Sequence, residues 1–147
     1  MKLIQKQHKF IELVEVIKFF SLSLSLSLSI SNFNIKKKKG AISIKEICFD
    51  AKYVILENSG SRGDVDISNW TISRKIDDND ENIFIFPQNT LFKANSTIKV
   101  WAVNQGKSNN RDEFVHHTEW GTGDLIITRV LNNQNSERAL HNQRTAQ

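Results

Sequence analysis

The side chains that could do chemistry here are one cysteine, a histidine pair, a run of acids, a glycine pair and several basic clusters. Cys48 is the only thiol, which excludes an internal disulfide and leans toward a reducing compartment. A reactive thiol needs an exposed, electropositive setting, whereas Ile47 and Phe49 on either side predict burial and an inert group. His116 and His117 offer two imidazoles, but neighbours on a strand point to opposite faces and do not close on one ion. They read as polar residues of an edge strand. Asp77, Asp78, Asp80 and Glu81 lack the alternate spacing, central glycine and distant glutamate of a calcium loop, so they read as a solvated turn. Gly121-Thr122-Gly123 lacks the third glycine and following helix of a dinucleotide site, and there is no Gly-x-Ser-x-Gly elbow. That glycine pair reads as a turn holding Trp120 against a core. No catalytic, cofactor or metal site is expected, and no small-molecule substrate.

Two basic groups remain. Lys36, Lys37, Lys38 and Lys39 form a run that could serve nuclear import or tether an acidic surface, or simply be solvated charge at a domain boundary. Arg74, Lys75, Lys93 and Lys99 could form a small basic face for DNA or a partner, or merely solvate strand edges. The charge distribution bears on both. Residues 1–39 hold eight lysines against Glu12 and Glu15, a net +6, while residues 40–147 hold twelve basic against fourteen acidic side chains, a net −2. The part expected to fold has no global field to attract phosphates.

The elements that would position these residues fall into two regions. Residues 1–20 have apolar Leu3, Phe10, Val14 and Ile17 near helical spacing, and residues 21–30, SLSLSLSLSI, form a monotonous dipeptide repeat. The expected leader, residues 1–39, is thus low in complexity and basic, poorly ordered or partly helical. A membrane span is not expected, since Glu12, Glu15 and Lys18 would each cost roughly 2.5–3.5 kcal/mol at a span's centre. A cleaved signal peptide is the alternative, with Lys2, an apolar stretch and Ser29-Ile30-Ser31 as its features. The sequons at Asn69 and Asn95 matter only in that case.

From Gly40 the texture changes to short strands and turns. The organising stretch is residues 53–74, read as a hairpin: alternating Val54 and Leu56, polar turn residues from Asn58 to Asp64, then Trp70 and Ile72 sharing a face. Ile42 and Ile44 alternate before Ile47 and Phe49 switch parity, which predicts a bulge near Glu46. Residues 83–86, 91–92, 97–103, 113–117, 125–131 and 136–141 complete about seven or eight strands, the pattern of an antiparallel sandwich. The predicted core is Val54, Leu56, Trp70, Ile72, Phe86, Ile98, Val100, Trp120 and Ile126.

Residues 40–144 also carry a likeness. GAISIKEICFDAKYVILEN, ISNWTISRKID, IFIFP, LFKANSTIKVWAVNQG, EWGTGD and ITRVLNNQNSERALHNQRT occur in order. Together they resemble the lamin tail domain of nuclear lamins and invertebrate cytoplasmic intermediate-filament proteins, and the closing ERALHNQRT is more similar to the cytoplasmic branch. The resemblance implies an all-β, immunoglobulin-like antiparallel β-sandwich in residues 40–144, with 145–147 as a tail. It also implies a non-enzymatic structural module that binds protein partners of the lamina or cytoskeleton, inside the cell, in the nucleus or cytoplasm.

The chain departs from the family in four places. The proline pair expected after K-V-W-A-x-x-x-G is replaced by Lys107-Ser108-Asn109-Asn110-Arg111. The glycine turn before the last strand is Asn135-Ser136-Glu137, so Asn135 must take the conformation glycine usually supplies. Residues 1–39 do not look like the end of the heptad rod on which filament assembly depends, and the C-terminal Arg144-Thr145-Ala146-Gln147 has no prenylation cysteine. This chain alone is not expected to polymerise. Two rival readings stay open: a chromatin- or DNA-binding module led by the basic leader, and a secreted β-sandwich that binds a surface ligand.

Overall fold

The structure, a computed structural model, describes residues 40–145. The expected helix of residues 1–20, the repeat of 21–30 and the Lys36–Lys39 run lie outside the described residues. Ten strands occur among the described residues: β1 (Ile42–Ile47), β2 (Tyr53–Asn58), β3 (Val65–Asp66), β4 (Thr71–Ile76), β5 (Asn82–Ile85), β6 (Leu91–Phe92), β7 (Ser96–Trp101), β8 (Glu113–Val115), β9 (Leu125–Leu131) and β10 (Glu137–Arg144). One sheet has the order β1-β2-β7-β8, a second β10-β9-β4-β5, and β3 pairs with β6 in a short third. The expected immunoglobulin-like sandwich is what forms.

Alternation decides which side chains enter the core. In β2 and β7, Val54 faces Val100 and Leu56 faces Ile98, and all four are buried. Across the sandwich, Ile72 pairs with Phe84 on one side and Val130 on the other. Burying each such aliphatic or aromatic side chain contributes about 1.5–3 kcal/mol before conformational entropy is charged against it. The parity switch in β1 appears as a register shift between Ile44 and Glu46, as the sequence predicts. Asn135 has φ 58°, the left-handed conformation required of it.

The expected hairpin of residues 53–74 does not form. β2 and β4 belong to different sheets, because residues 59–70 are too long for a hairpin turn and carry a strand of their own. β3 pairs with β6, matching Val65 to Phe92, and Ile67 is buried beside it. Asn58 anchors this crossing. Its Nδ2 donates to the carbonyls of Gly63 and Phe92, both at 3.0 Å, and its Oδ1 accepts from the Gly60 N–H at 2.9 Å. A buried amide thereby satisfies backbone groups that no ladder reaches.

One strand pair departs from the antiparallel expectation. β8 runs parallel to β7, with Val100 opposite Phe114, because residues 102–112 return the chain to the same end before it re-enters the sheet.

The core is built as predicted at eight of its nine positions, all of which are buried; Trp70 is the exception. Trp70 is half-buried against the core's rim and precedes β4, its N–H bonded to the Ile67 carbonyl at 3.0 Å. The fully buried indole is Trp120. Its Nε1 donates to the Val100 carbonyl at 3.0 Å, and its ring lies among Phe84 and His116.

Candidate interaction surfaces

The predicted basic face does not assemble. Arg74 is 1% exposed, on the inner face of β4, so its guanidinium is not offered to a partner. Residues Ile72 and Arg74 share a face by strand parity, and that face is the core. The fork finds neutral oxygens there. Nε donates to the Trp120 carbonyl (3.1 Å), Nη2 to the Gly121 carbonyl (3.0 Å), and Nη1 to Thr128 Oγ1 (3.0 Å) and Gln143 Oε1 (3.3 Å). Burial pushes its pKa down to about 10, which still leaves it charged at neutral pH. Arg74 is a clamp between β4, the Trp120-Gly121 segment and strands β9 and β10.

The other three lysines scatter. Lys75 is exposed on the outer face of β4. Lys93 lies after β6 and pairs with Asp64 at 3.4 Å, an exposed contact of small energetic weight. The backbone N–H of Ala94 is the main reason the Asp64 carboxyl is held below its usual range. Lys99 belongs to the other sheet, with its Nζ 4.6 Å from the ring centres of both Tyr53 and Trp101.

That lysine marks a cluster which sequence reasoning missed. Tyr53 and Trp101 are opposite one another on β2 and β7, with rings 5.4 Å apart in an edge arrangement. Tyr53 donates its hydroxyl to Glu46 at 2.7 Å, and that bond raises the phenol to about 12. Trp101 Nε1 donates to Glu113 at 3.3 Å. A cation between two rings, with a carboxylate at each end, makes a fixed polar face on the outside of the first sheet. Parity puts Trp101 on the face opposite Ile98 and Val100, but its pairing with Tyr53 depends on a register that the sequence does not state.

The histidines and the cysteine also differ from expectation. His116 is 1% exposed and not a solvated edge residue, because it continues the line of β8, its N–H bonded to the Trp101 carbonyl at 2.7 Å, and so shares the inward face of Phe114. Asn82 Nδ2 donates to the Glu119 carbonyl at 2.6 Å, which leaves Asn82 Oδ1 to accept from His116 Nε2 at 2.7 Å. The Nδ1 of His116 then has no partner. Burial, with the neighbouring His117 second, lowers the His116 pKa to about 4, so the ring is neutral. Cys48 is half-buried, not enclosed, for Phe49 is fully exposed at the β1–β2 turn. The thiol donates to Asp50 Oδ1 at 2.7 Å. Among the described residues, no group of three or more His, Cys, Asp or Glu side chains is placed to hold a metal ion. Nor is any helix there long and apolar enough to cross a membrane.

What these surfaces have in common is presentation: rigid strands carry side chains outward, and the inner face is filled. A sequence profile of the Lamin Tail Domain matches residues 35–146, well over half of the chain. The chain belongs to the lamin tail domain family. It is 34% identical over 111 residues to intermediate filament protein ifa-1 of Caenorhabditis elegans, covering 74% of this chain and 19% of that protein. To a muscle cell intermediate filament protein of Onchocerca volvulus it is 34% identical over 113 residues, covering 76% and 26%. To intermediate filament protein B of Ascaris suum it is 32% identical over 115 residues, covering 76% and 20%. The chain thus spans about a fifth to about a quarter of the length of these three curated relatives.

In this lamin tail domain, the loop that lacks the proline pair is closed by a side chain instead. Asn109 Oδ1 accepts from the N–H groups of Arg111 (2.9 Å), Asp112 (3.0 Å) and Glu113 (3.0 Å), while Asn110 adopts φ 59°. The Asn109 N–H donates to the Glu113 carbonyl at 3.0 Å. Asparagine reaches its own downstream backbone and so fixes a turn by hydrogen bonds where proline would fix it by ring geometry.

Proposed function

We propose that this lamin tail domain is a non-enzymatic structural module of the intermediate-filament type, working by presenting strand edges and outer sheet faces to protein partners. The observation that carries this reading is the family match across the whole sandwich, to relatives whose names are those of intermediate filament proteins. The packing agrees with it: indole, phenyl and aliphatic side chains fill the space between the sheets. In this reading the domain attaches to filaments inside the cell and does not itself polymerise, and residues 40–144 are the attaching unit. Co-sedimentation tests it. The purified 147-residue chain is mixed with assembled invertebrate intermediate filaments, and the expected result is a chain that pellets only when filaments are present. A chain left in the supernatant at every filament concentration overturns the proposal.

The lysine run favours a second reading in which the same module works at the nuclear lamina or on chromatin. Lys36, Lys37, Lys38 and Lys39 would supply import or phosphate contact, since residues 40–147 carry a net −2. Imaging a tagged full-length chain with and without those four lysines decides between the two. Nuclear signal that disappears with the lysines supports the lamina, and filamentous cytoplasmic signal in both supports the cytoskeleton.

A further inference from the structure

Among the described residues, the second sheet ends at β5, which pairs there with β4 on one side only. The Phe86 N–H donates to the Trp70 carbonyl at 2.9 Å, toward β4. In an antiparallel ladder Phe84 and Asn82 face the same way, and the backbone groups of Ile83 and Ile85 point to the open side. The side chains of Ile83 and Ile85 are 44% and 60% exposed. Their cross-strand neighbours are Ser73 and Thr71, and beyond these stand Arg129 and Leu131 of β9. Edge strands ordinarily carry a lysine, a proline or a bulge that discourages pairing. Nothing of the kind lies between Asn82 and Ile85, and Pro87 comes only after the strand.

Charge gathers at one end of this edge. The β4–β5 turn exposes Asp78, Asp80 and Glu81, while the Asp77 carboxylate is turned the other way, accepting from the Asp124 and Leu125 N–H groups at the start of β9. Glu119 joins them, since its carbonyl is held by Asn82 at the start of β5. The other end, Pro87-Gln88-Asn89, bears no charge.

We propose that β5 is the docking edge for an extended segment of a partner protein, which adds as an antiparallel strand. Its aliphatic side chains lie beside Ile83 and Ile85, and a lysine or arginine at its C-terminal end meets the acidic turn. This rests on the reading of the chain as a protein-binding module and names the surface used. Main-chain hydrogen bonds supply the affinity, the two isoleucines set the register, and the acidic turn sets the direction. A second copy of this chain fits the edge poorly. Parallel pairing of two β5 strands would bring two acidic turns together, and antiparallel pairing would set each turn against an uncharged loop. Four residues a side also fall far short of the roughly 1,200 Å² that a stable dimer buries.

The test uses the full 147-residue chain and a fluorescent synthetic peptide of alternating valine and threonine ending in two C-terminal lysines. Anisotropy is expected to show saturable binding, weakened at least about tenfold by Ile85→Lys and similarly by Asp78→Lys, which leaves the strand itself untouched. Replacing the peptide's lysines by glutamates, or moving them to its N-terminus, should weaken it likewise. Equal binding of the lysine and glutamate peptides overturns the proposal. So does binding indifferent to Ile85→Lys, or a dimer seen by sedimentation that Ile85→Lys abolishes. Filament pelleting with the same variants separates this claim from the broader one. If wild type and Ile85→Lys pellet equally, the edge is wrong and the protein-binding reading stands. If wild type fails to pellet while the peptide still binds as described, the edge stands and the filament reading falls.

Discussion

Arg74 and Trp120 are joined through a single hydrogen bond, Nε to carbonyl oxygen at 3.1 Å, and through it the two sheets share one residue. Trp120 donates its own Nε1 in the other direction, to the Val100 carbonyl of the first sheet at 3.0 Å. Its carbonyl thus belongs to one layer's clamp and its indole to the other's backbone. Residues between strands usually run over the surface, but here a loop residue is fully buried because both layers use it.

Replacing Arg74 should therefore destabilise the domain out of proportion to its size. Arg74→Ala leaves the buried Trp120 carbonyl and the part-buried Gly121 carbonyl without their donors and opens a cavity, at an expected cost of about 2–4 kcal/mol. Arg74→Lys keeps the charge but cannot reproduce a planar fork serving four acceptors, and about 2–3 kcal/mol is expected. Urea melts of the three proteins measure both, and a lysine variant as stable as wild type would show that charge alone suffices.

The two tryptophans on either side of β4's neighbourhood should separate clearly. Trp120→Ala is expected to cost about 3–5 kcal/mol and to unfold a marginal domain. Trp70→Ala, at a half-buried rim position, should cost about 1–2 kcal/mol. The sequence places both indoles in the core, whereas their burial separates them, and denaturant midpoints for the pair decide it.

His116 makes stability depend on mildly acidic pH. Its folded pKa, about 4, lies below the ordinary 6.5, so between those values the unfolded chain holds a proton that the folded chain refuses. Stability is unaffected above about pH 6.5, falls as pH drops toward 4, and loses up to about 3 kcal/mol in that window. The carboxylates of Asp50, Asp64 and Asp66, held below their usual 3.8, add their losses only at lower pH. Thermal midpoints followed from pH 7 to 4.5 should slope for wild type and lie nearly flat for His116→Gln.

Gly106 lies against the Trp101 indole, and a Cβ placed there would overlap the ring. Gly106→Ala should push the indole off Lys99 and cost about 1–3 kcal/mol. The indole N–H resonance of Trp101, now bonded to Glu113, reports the displacement directly. An unchanged resonance would mean that the loop yields and the ring stays put.

Much of this fold was readable because burial follows a period of two. Val54, Leu56, Ile98, Val100 and Ile126 all lie where alternation puts them, and the bulge near Glu46 announced itself by a change of parity. What escaped was partnership. Residues 59–70 show turn chemistry, but turn residues alone do not say whether the chain comes back beside the strand it left or crosses to the opposite layer. The buried fork of Arg74 was hidden for a related reason: an arginine next to Lys75 reads as surface until its acceptors, up to sixty-nine positions away, are brought round it. Lys99 kept its place on the surface but lost its freedom, since Tyr53 becomes its neighbour only through the β2–β7 register.

The lateral arrangement of the first and last strands has a mechanical meaning. β1 and β10 are neighbours, and Gly40 lies close to the Arg138 carbonyl at the start of β10. β10 then runs on to Arg144, about 3.3 Å per residue farther along the sandwich. Tension applied between Gly40 and Arg144 is therefore directed along the strands, and the ladders of β1 and β10 share it across many rungs at once instead of opening one by one like a zipper. Loaded at those two points, the β10–β9 ladder is sheared and not peeled.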